Sequence, residues 1–194
     1  MEKKEIQEQR MRGYFIQATK EMLKGEGLKS ISVRNIADQA GYSYATIYNY
    51  FRDVKDLVFL CVKEFQDEIE IFIRDETSKS ELGLPKIEGI AKAYIKYFVQ
   101  YPGIFELFYI ERVTDFGTKQ PTVDLINNFL DKLCEDDWLL VAKQNKWDDA
   151  EVAQKKIALN ALIIGMLLLY INRRNPDDYL KFMDNVNNQL KSIL

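Results

Sequence analysis

Met11, Phe15, Ala18 and Met22 repeat at spacings of three and four. That stripe predicts a helix from about Lys4 to Lys24, with Gly27 just past its end. Val33, Ile36, Ala37 and Ala40 predict a short second helix, and Ile47 and Phe51, four apart on one face, a third over Tyr44 to Phe51. Leu57, Val58, Cys61, Val62, Phe65, Ile69 and Phe72 mark the inner side of a long helix from about Lys55 to Thr77. The polar stretch from Thr77 to Gly83 reads as a loop, and Pro85 suits the first turn of the next helix. Ile87 to Tyr109 carries apolar and aromatic positions on two successive helices broken at Pro102-Gly103. A loop from Thr114 to Gln120 precedes a helix from about Pro121 to Gln144, with Leu125, Phe129, Leu133 and Leu140 on its stripe. Asp148 with Glu151 three residues on reads as a capping box opening a further helix. Asn175-Pro176-Asp177-Asp178 starts the last one, with Asn175 as N-cap and the proline in the first turn. The pattern predicts an all-α chain of about nine helices, and four widely spaced prolines agree with it.

The densest local signal lies between Ser32 and Phe51, SVRNIADQAGYSYATIYNYF. Two short helices joined by a tight turn are the layout of a helix-turn-helix, whose second helix enters a DNA groove. Ser32 and Ser43 are placed as N-caps, and Gly41 takes the left-handed conformation that ends a helix sharply. With Ile47 and Phe51 turned to the core, Ala45, Thr46, Tyr48 and Asn49 point away, and Tyr44 and Tyr50 fall at the borders. Such a face lacks the Lys and Glu of a solvated surface. It suits nucleic acid: Asn pairs with adenine, Thr offers its methyl to thymine, and Tyr donates to phosphate. The alternative is a tight helical hairpin inside an ordinary all-helical protein.

The run from Phe15 to Val62 resembles the DNA-binding domain of TetR-family transcriptional regulators. The matching features are Ala18 and Leu23 ahead of Gly27, SVRNIADQAG at 32–41, TIYNYF at 46–51, then Lys55 and Leu57. The resemblance implies a homodimeric, mostly repressing regulator whose C-terminal helices bind a small effector. It divides the chain into a three-helix helix-turn-helix DNA-binding domain at 1–53 and a helical ligand-binding and dimerisation domain at 54–194. Candidate DNA contacts are Ser32, Arg34, Tyr44, Ala45, Thr46, Tyr48, Asn49, Tyr50 and Lys55. The family usually sets a lysine three residues after the aromatic closing the signature. Here Lys55 stands four after Phe51, and Arg52 is the alternative phosphate contact.

Composition narrows the field. The net charge is −3, but residues 1–62 carry net +2 and the remainder −5, a modest basic bias where the helix-turn-helix lies. The chain holds no histidine, which removes Ser-His-Asp and Cys-His chemistry and most zinc sites. Cys61 and Cys134 lie far apart with no CxxC spacing and read as buried small hydrophobes, not a metal or disulfide site. No Gly-rich phosphate loop is present, so neither a catalytic residue nor a cofactor is expected. The charged N-terminus, MEKKEIQEQRMRG, lacks the apolar stretch of a signal peptide, which predicts a cytoplasmic protein.

Tyrosines are dense between Ile87 and Tyr109, and buried hydroxyls need partners or a roomy, partly polar interior. Core packing is the simpler explanation for each ring singly. The segment also falls where TetR-like proteins build their cavity, so the resemblance nominates Tyr94, Phe98, Phe105 and Tyr109, with Met166 on a later helix. No basic residue shares the Tyr94 face between Tyr97 and Tyr109, which favours a neutral or cationic, largely hydrophobic effector. From Ile157 to Ile171 the only hydrophilic side chains are Asn160 and the Tyr170 hydroxyl. That run falls short of the about 20 apolar residues a bilayer span needs, so no membrane is expected. A helix apolar all round is covered most simply by its own core on one side and a partner subunit on the other. A homodimer through residues about 150–194 follows, with Tyr179, Phe182, Met183, Val186, Leu190 and Ile193 completing the interface. The expected mechanism is two-state: ligand shifts the long helix at 55–77 and changes the separation of the recognition helices. Rival readings are a regulator triggered by a protein partner or by nothing, and a helical carrier or enzyme without a DNA role.

Overall fold

Among residues 3–110, 120–173 and 175–194, which the computed structural model describes, eleven α-helices occur and no strand. They are α1 (Lys3–Gly25), α2 (Val33–Ala40), α3 (Tyr44–Ile47), α4 (Val54–Glu76), α5 (Leu84–Gln100), α6 (Pro102–Phe105), α7 (Gln120–Asn127), α8 (Phe129–Leu133), α9 (Glu135–Asn145), α10 (Asp149–Arg173) and α11 (Tyr179–Ile193). The expected all-α class holds. The backbone groups into two compact units, one of 1–67 with 101–126 and one of 68–100 with 127–194. The expected loop at Thr114–Gln120 lies, up to residue 119, outside the described residues.

The first unit is built around Phe15, Met22, Ile36, Ala37, Ile47, Phe51 and Leu57, all buried. Ser32 caps α2 by accepting from the Asn35 N–H at 3.1 Å. Gly41, at φ 77°, ends that helix, with Gly41 N–H on the Asp38 carbonyl and Tyr42 N–H on that of Ala37 at 2.9 Å. This Schellman turn sends the chain back over α2 to start α3. Two expectations need correction. The Ser43 hydroxyl does not cap α3 but lies 2.9 Å from that of Thr46. The third helix also closes at Ile47, and 48–50 continue as a turn. Burial of Ile47 and Phe51 sets the direction of this segment, so its polar face survives the tighter winding. In α4, Leu57, Val58, Cys61, Val62 and Phe65 are buried as expected. Lys20, 6% exposed, pairs with Glu64 at 2.9 Å.

Gly103, at the start of α6, meets the end of α1 backbone to backbone. A Cβ there would lie 2.1 Å from the Leu23 carbonyl oxygen and 2.9 Å from the Gly27 Cα. Only glycine permits that approach.

The second unit buries Ile87, Ile90, Ala91, Tyr94, Ile95 and Phe98 of α5, Trp138 and Val141 of α9, and Leu159, Ile163 and Leu167 of α10. The Asp148–Glu151 box forms as expected, each backbone N–H donating to the other carboxylate at 2.8–2.9 Å. Asp137 is buried and accepts from the Gly83 N–H at 2.7 Å, tying the α4–α5 loop to α9. The single helix expected over 121–144 is in fact three, α7 to α9. At Cys134, φ is −106° and its N–H is shared between the Leu130 and Asp131 carbonyls, so the chain turns and buries Phe129 and Leu130 before it and Trp138 after it. The last helix is capped by Asp178, which accepts from the Lys181 N–H at 2.9 Å; Asn175 and Pro176 lie ahead of it. Of its stripe, Phe182, Val186 and Leu190 are buried within the unit and Tyr179 is exposed, as is its neighbour Leu180 outside the stripe.

The apolar run at 157–171 belongs to a longer helix than the run alone implied. Asp149–Asn172 is long and apolar enough to cross a bilayer, a test that core helices of other proteins also pass. Only 17% of its most apolar stretch is buried within the chain. Leu159, Ile163 and Leu167 face inward at i, i+4 spacing, and Ile157, Leu168 and Leu169 are exposed.

Candidate nucleic-acid interface

The recognition segment displays its polar side chains because its two apolar ones are fully committed. Ile47 is fully buried and Phe51 4% exposed, whereas Tyr44 and Tyr48 are 61% and 56% exposed. Ala45 and Asn49 are exposed beside them; Thr46 and Tyr50 are half-buried. Thr46 is thus less free than its position on a helical wheel suggested, and its hydroxyl is shared with Ser43. Ser32 and Arg34 are exposed at the start of α2. Asp53 caps α4 by accepting from the Asp56 N–H at 2.8 Å. Arg52 and Lys55, one before that cap and two after it, are both exposed. The two cations therefore flank a helix N-terminus, whose dipole favours a phosphate.

Two residues of this face carry no periodic signal. Tyr42 sits in the α2–α3 turn, its ring tilted on Phe15 at 5.5 Å and stacked on the exposed Tyr14 at 6.3 Å. Arg12 of α1 donates to the Tyr50 carbonyl and lies 4.6 Å over the Phe51 ring. Their partners are 27 to 39 residues away in sequence, beyond the reach of local pattern reading.

The effector candidates fall into separate groups. Tyr94 and Phe98 are buried in the second unit, edge to face at 4.8 Å, with Phe129 6.1 Å from Tyr94. Tyr97 packs edge-on to Phe98 at 6.0 Å, and its hydroxyl donates to Glu68 at 3.3 Å. Phe105 and Tyr109 pack together at 5.4 Å in the first unit. Met166 is half-buried on α10. A cleft of about 210 Å³ in the second unit is lined by other residues, among them Ile73, Arg74, Lys86, Ile90 and Lys132. Burial pushes the Cys134 thiol from 9.0 up to about 12, helped by the charges of Asp137 and Asp131, so it is no nucleophile at neutral pH. Among the described residues no group of three or more His, Cys, Asp or Glu is arranged to hold a metal ion.

Residues 15–60 match the model of bacterial regulatory proteins of the tetR family. No curated protein matches the chain in sequence. In fold it is similar to the fatty acid degradation regulator FadR from Bacillus halodurans, with a TM-score of 0.68 and 16% identity over 94% of each chain. It is similar too to FadR from Bacillus subtilis, solved in complex with stearoyl-CoA, at TM-score 0.67 and 16% identity over 93% of this chain and 96% of that one. A tetR-family transcriptional regulator from Streptomyces coelicolor gives a TM-score of 0.70 at 12% identity, over 95% of this chain and 79% of that one. Residues 15–60, with their capped α2, glycine turn and outward tyrosines and asparagine, are thus similar to the tetR-family model, on a chain whose all-helical fold is similar to that of TetR-family transcriptional regulators.

Proposed function

We propose that the chain is a homodimeric repressor that holds a palindromic operator and leaves it on binding a small hydrophobic effector. The observation that carries this reading is the recognition segment: Tyr44, Ala45, Tyr48 and Asn49 stand exposed on a short element whose other side, Ile47 and Phe51, is locked into the core. The candidate contacts are those with Ser32, Arg34, Thr46, Tyr50 and Lys55, and Arg52 beside the last. The DNA-binding domain comprises 1–53, and 54–194 bind ligand and dimerise. Dimerisation is supported by the open apolar side of α10: only 17% of its most apolar stretch is buried within the chain, Ile157, Leu168 and Leu169 are exposed, and an extended apolar surface of this kind suits a partner. A permanent dimer of this kind buries more than about 2,000 Å². The protein works in the cytoplasm and is not an enzyme.

Tyr94, Phe98, Phe105, Tyr109 and Met166 are the side chains assigned to the effector. A mainly apolar ligand suits them, and the Bacillus subtilis relative was solved with a ligand that carries a long apolar acyl chain. A thermal-shift panel therefore includes acyl-CoA esters beside neutral and cationic aromatics. The second reading, a regulator with no effector, is favoured by the near-complete burial of Tyr94 and Phe98 in direct ring contact.

Selection from random duplex DNA tests the reading. The expected result is a near-palindrome whose half-site centres lie about 34–36 Å apart or a multiple of that. Selection that enriches no palindrome overturns it.

A further inference from the structure

α3 has four residues, and Tyr48 and Asn49 lie in the turn beyond it. Local hydrogen bonds hold that turn thinly: the Asn49 N–H reaches the Thr46 carbonyl at 3.2 Å, and those of Tyr50 and Phe51 both use the Ile47 carbonyl at 2.9 Å. A new helix begins at Val54, so no further turn of α3 follows to take up the carbonyls after Ile47. The Tyr50 carbonyl receives its hydrogen bond from outside the segment, from the Arg12 guanidinium 38 residues earlier. The same guanidinium lies 4.6 Å from the Phe51 ring centroid, and Phe15, three residues along α1, meets Tyr50 at 6.0 Å and Phe51 edge-on at 6.2 Å. Arg12 is half-buried, sharing a recess with Tyr50, Phe51, Arg52, Asp56, Phe59 and Leu60.

We infer that Arg12 is a positioning residue for DNA recognition. It clamps the end of the recognition segment to α1 and so sets the direction of Tyr48 and Asn49. Its planar fork serves the Tyr50 carbonyl and the Phe51 face together, a combination that lysine cannot reproduce. Its charge is spent on the protein and not on a DNA phosphate. This inference rests on the DNA-binding reading above.

The test uses the full chain with Arg12→Met, Arg12→Lys and the operator selected by the parent protein. For Arg12→Met the expected loss of operator affinity is about tenfold, the scale of one charge-assisted hydrogen bond. Base preference relaxes at the position read by Asn49, while the salt slope and the affinity for random DNA stay put. Arg12→Lys restores part of the loss. Without DNA, amide hydrogen exchange at Tyr50 and Phe51 speeds up in Arg12→Met. A salt slope reduced by about one, with all sequences weakened alike, makes Arg12 a phosphate contact and overturns the proposal. Unchanged preference with unchanged exchange overturns it as well. Should Arg12→Met not fold, Arg12→Gln, which keeps an N–H donor without the charge, is judged by the same measurements. A parent protein that selects no operator defeats the DNA-binding reading instead, and the exchange measurement still decides the clamp.

Discussion

Gly103→Ala asks how tightly α6 is seated on α1. A methyl group at 103 would lie 2.1 Å from the Leu23 carbonyl oxygen, 2.9 Å from the Gly27 Cα and 3.3 Å from the Gly27 nitrogen. Ordinary van der Waals contact begins at 3.4 Å, so the backbone has to open by more than 1 Å. No flexible side chain can absorb that shift, because every atom met is main chain. Overpacking costs about 1–3 kcal/mol in well-packed cores, and an immobile neighbour belongs at the upper end. Alanine's advantage over glycine inside a helix offsets only about 1 kcal/mol. A net loss of about 2 kcal/mol corresponds to a drop of roughly 4–8 °C in Tm for a chain of this size. Circular dichroism melts at fixed protomer concentration measure it, and Gly13→Ala is the internal control. Gly13 lies within α1, and a methyl group there would have nothing inside 4 Å, so that change should raise stability by about 0.5–1 kcal/mol. If Gly103→Ala melts with the parent while Gly13→Ala behaves as expected, the close approach of α6 to α1 is wrong.

Asn49→Ala should relax base preference at one position of each half-site and weaken binding by about 1–3 kcal/mol if the contact is bidentate, read by selection and titration on the parent operator. Lys146 ends α9 at φ 58°, a left-handed conformation that costs a side-chain-bearing residue about 1 kcal/mol, so Lys146→Gly should raise the urea midpoint. The Cys134 thiol, raised from 9.0 to about 12 by burial, then Asp137 and Asp131, should resist iodoacetamide at pH 8.5 in the folded protein. Because the folded value exceeds the unfolded one, this thiol leaves stability unchanged below pH 9 and lowers it as pH climbs from 9 toward 12, where only the unfolded chain ionises.

Features whose cause is local were legible in the chain. Ser32, Gly41 and the Asp148–Glu151 box act on backbone groups within five residues, so their spacing already states the geometry. Ile47 and Phe51 likewise divided the recognition segment into an inner and an outer side. Features set by distant partners were not legible. The periodicity from Pro121 to Gln144 continues through Cys134 without glycine or proline, and the break there reflects burial of Phe129, Leu130 and Trp138, which depends on the neighbouring helices. The Asp178 cap was missed because Asn175-Pro176 offered an equally good local signal three residues earlier. Spacing also cannot separate Tyr94 and Phe98 from Phe105 and Tyr109. One continuous aromatic pattern runs through all four, and the division falls at Tyr101, where the chain leaves the second unit for the first.

The chain carries a net charge of −3, and its proposed DNA face is mostly uncharged. Tyr44, Ala45, Tyr48 and Asn49 can donate, accept or pack, but none neutralises a phosphate. The exposed cations flanking them are Arg34, Arg52 and Lys55, so a dimer offers six at most. Each phosphate neutralised on duplex DNA contributes about −0.9 to the slope of log K against log salt, which puts the whole complex near −5. Between 50 and 200 mM salt the affinity should then fall by about a thousandfold. Specific binding has to rest on hydrogen bonds from hydroxyls and the asparagine amide, which salt does not screen. The ratio of operator to random-DNA affinity should therefore change less with salt than either affinity does. A measured slope much steeper than −5 would mean that cations outside this face, such as Lys29 or Arg10, also reach the phosphates. A slope near zero would take Arg34, Arg52 and Lys55 out of the interface and move the recognition surface elsewhere on the first unit.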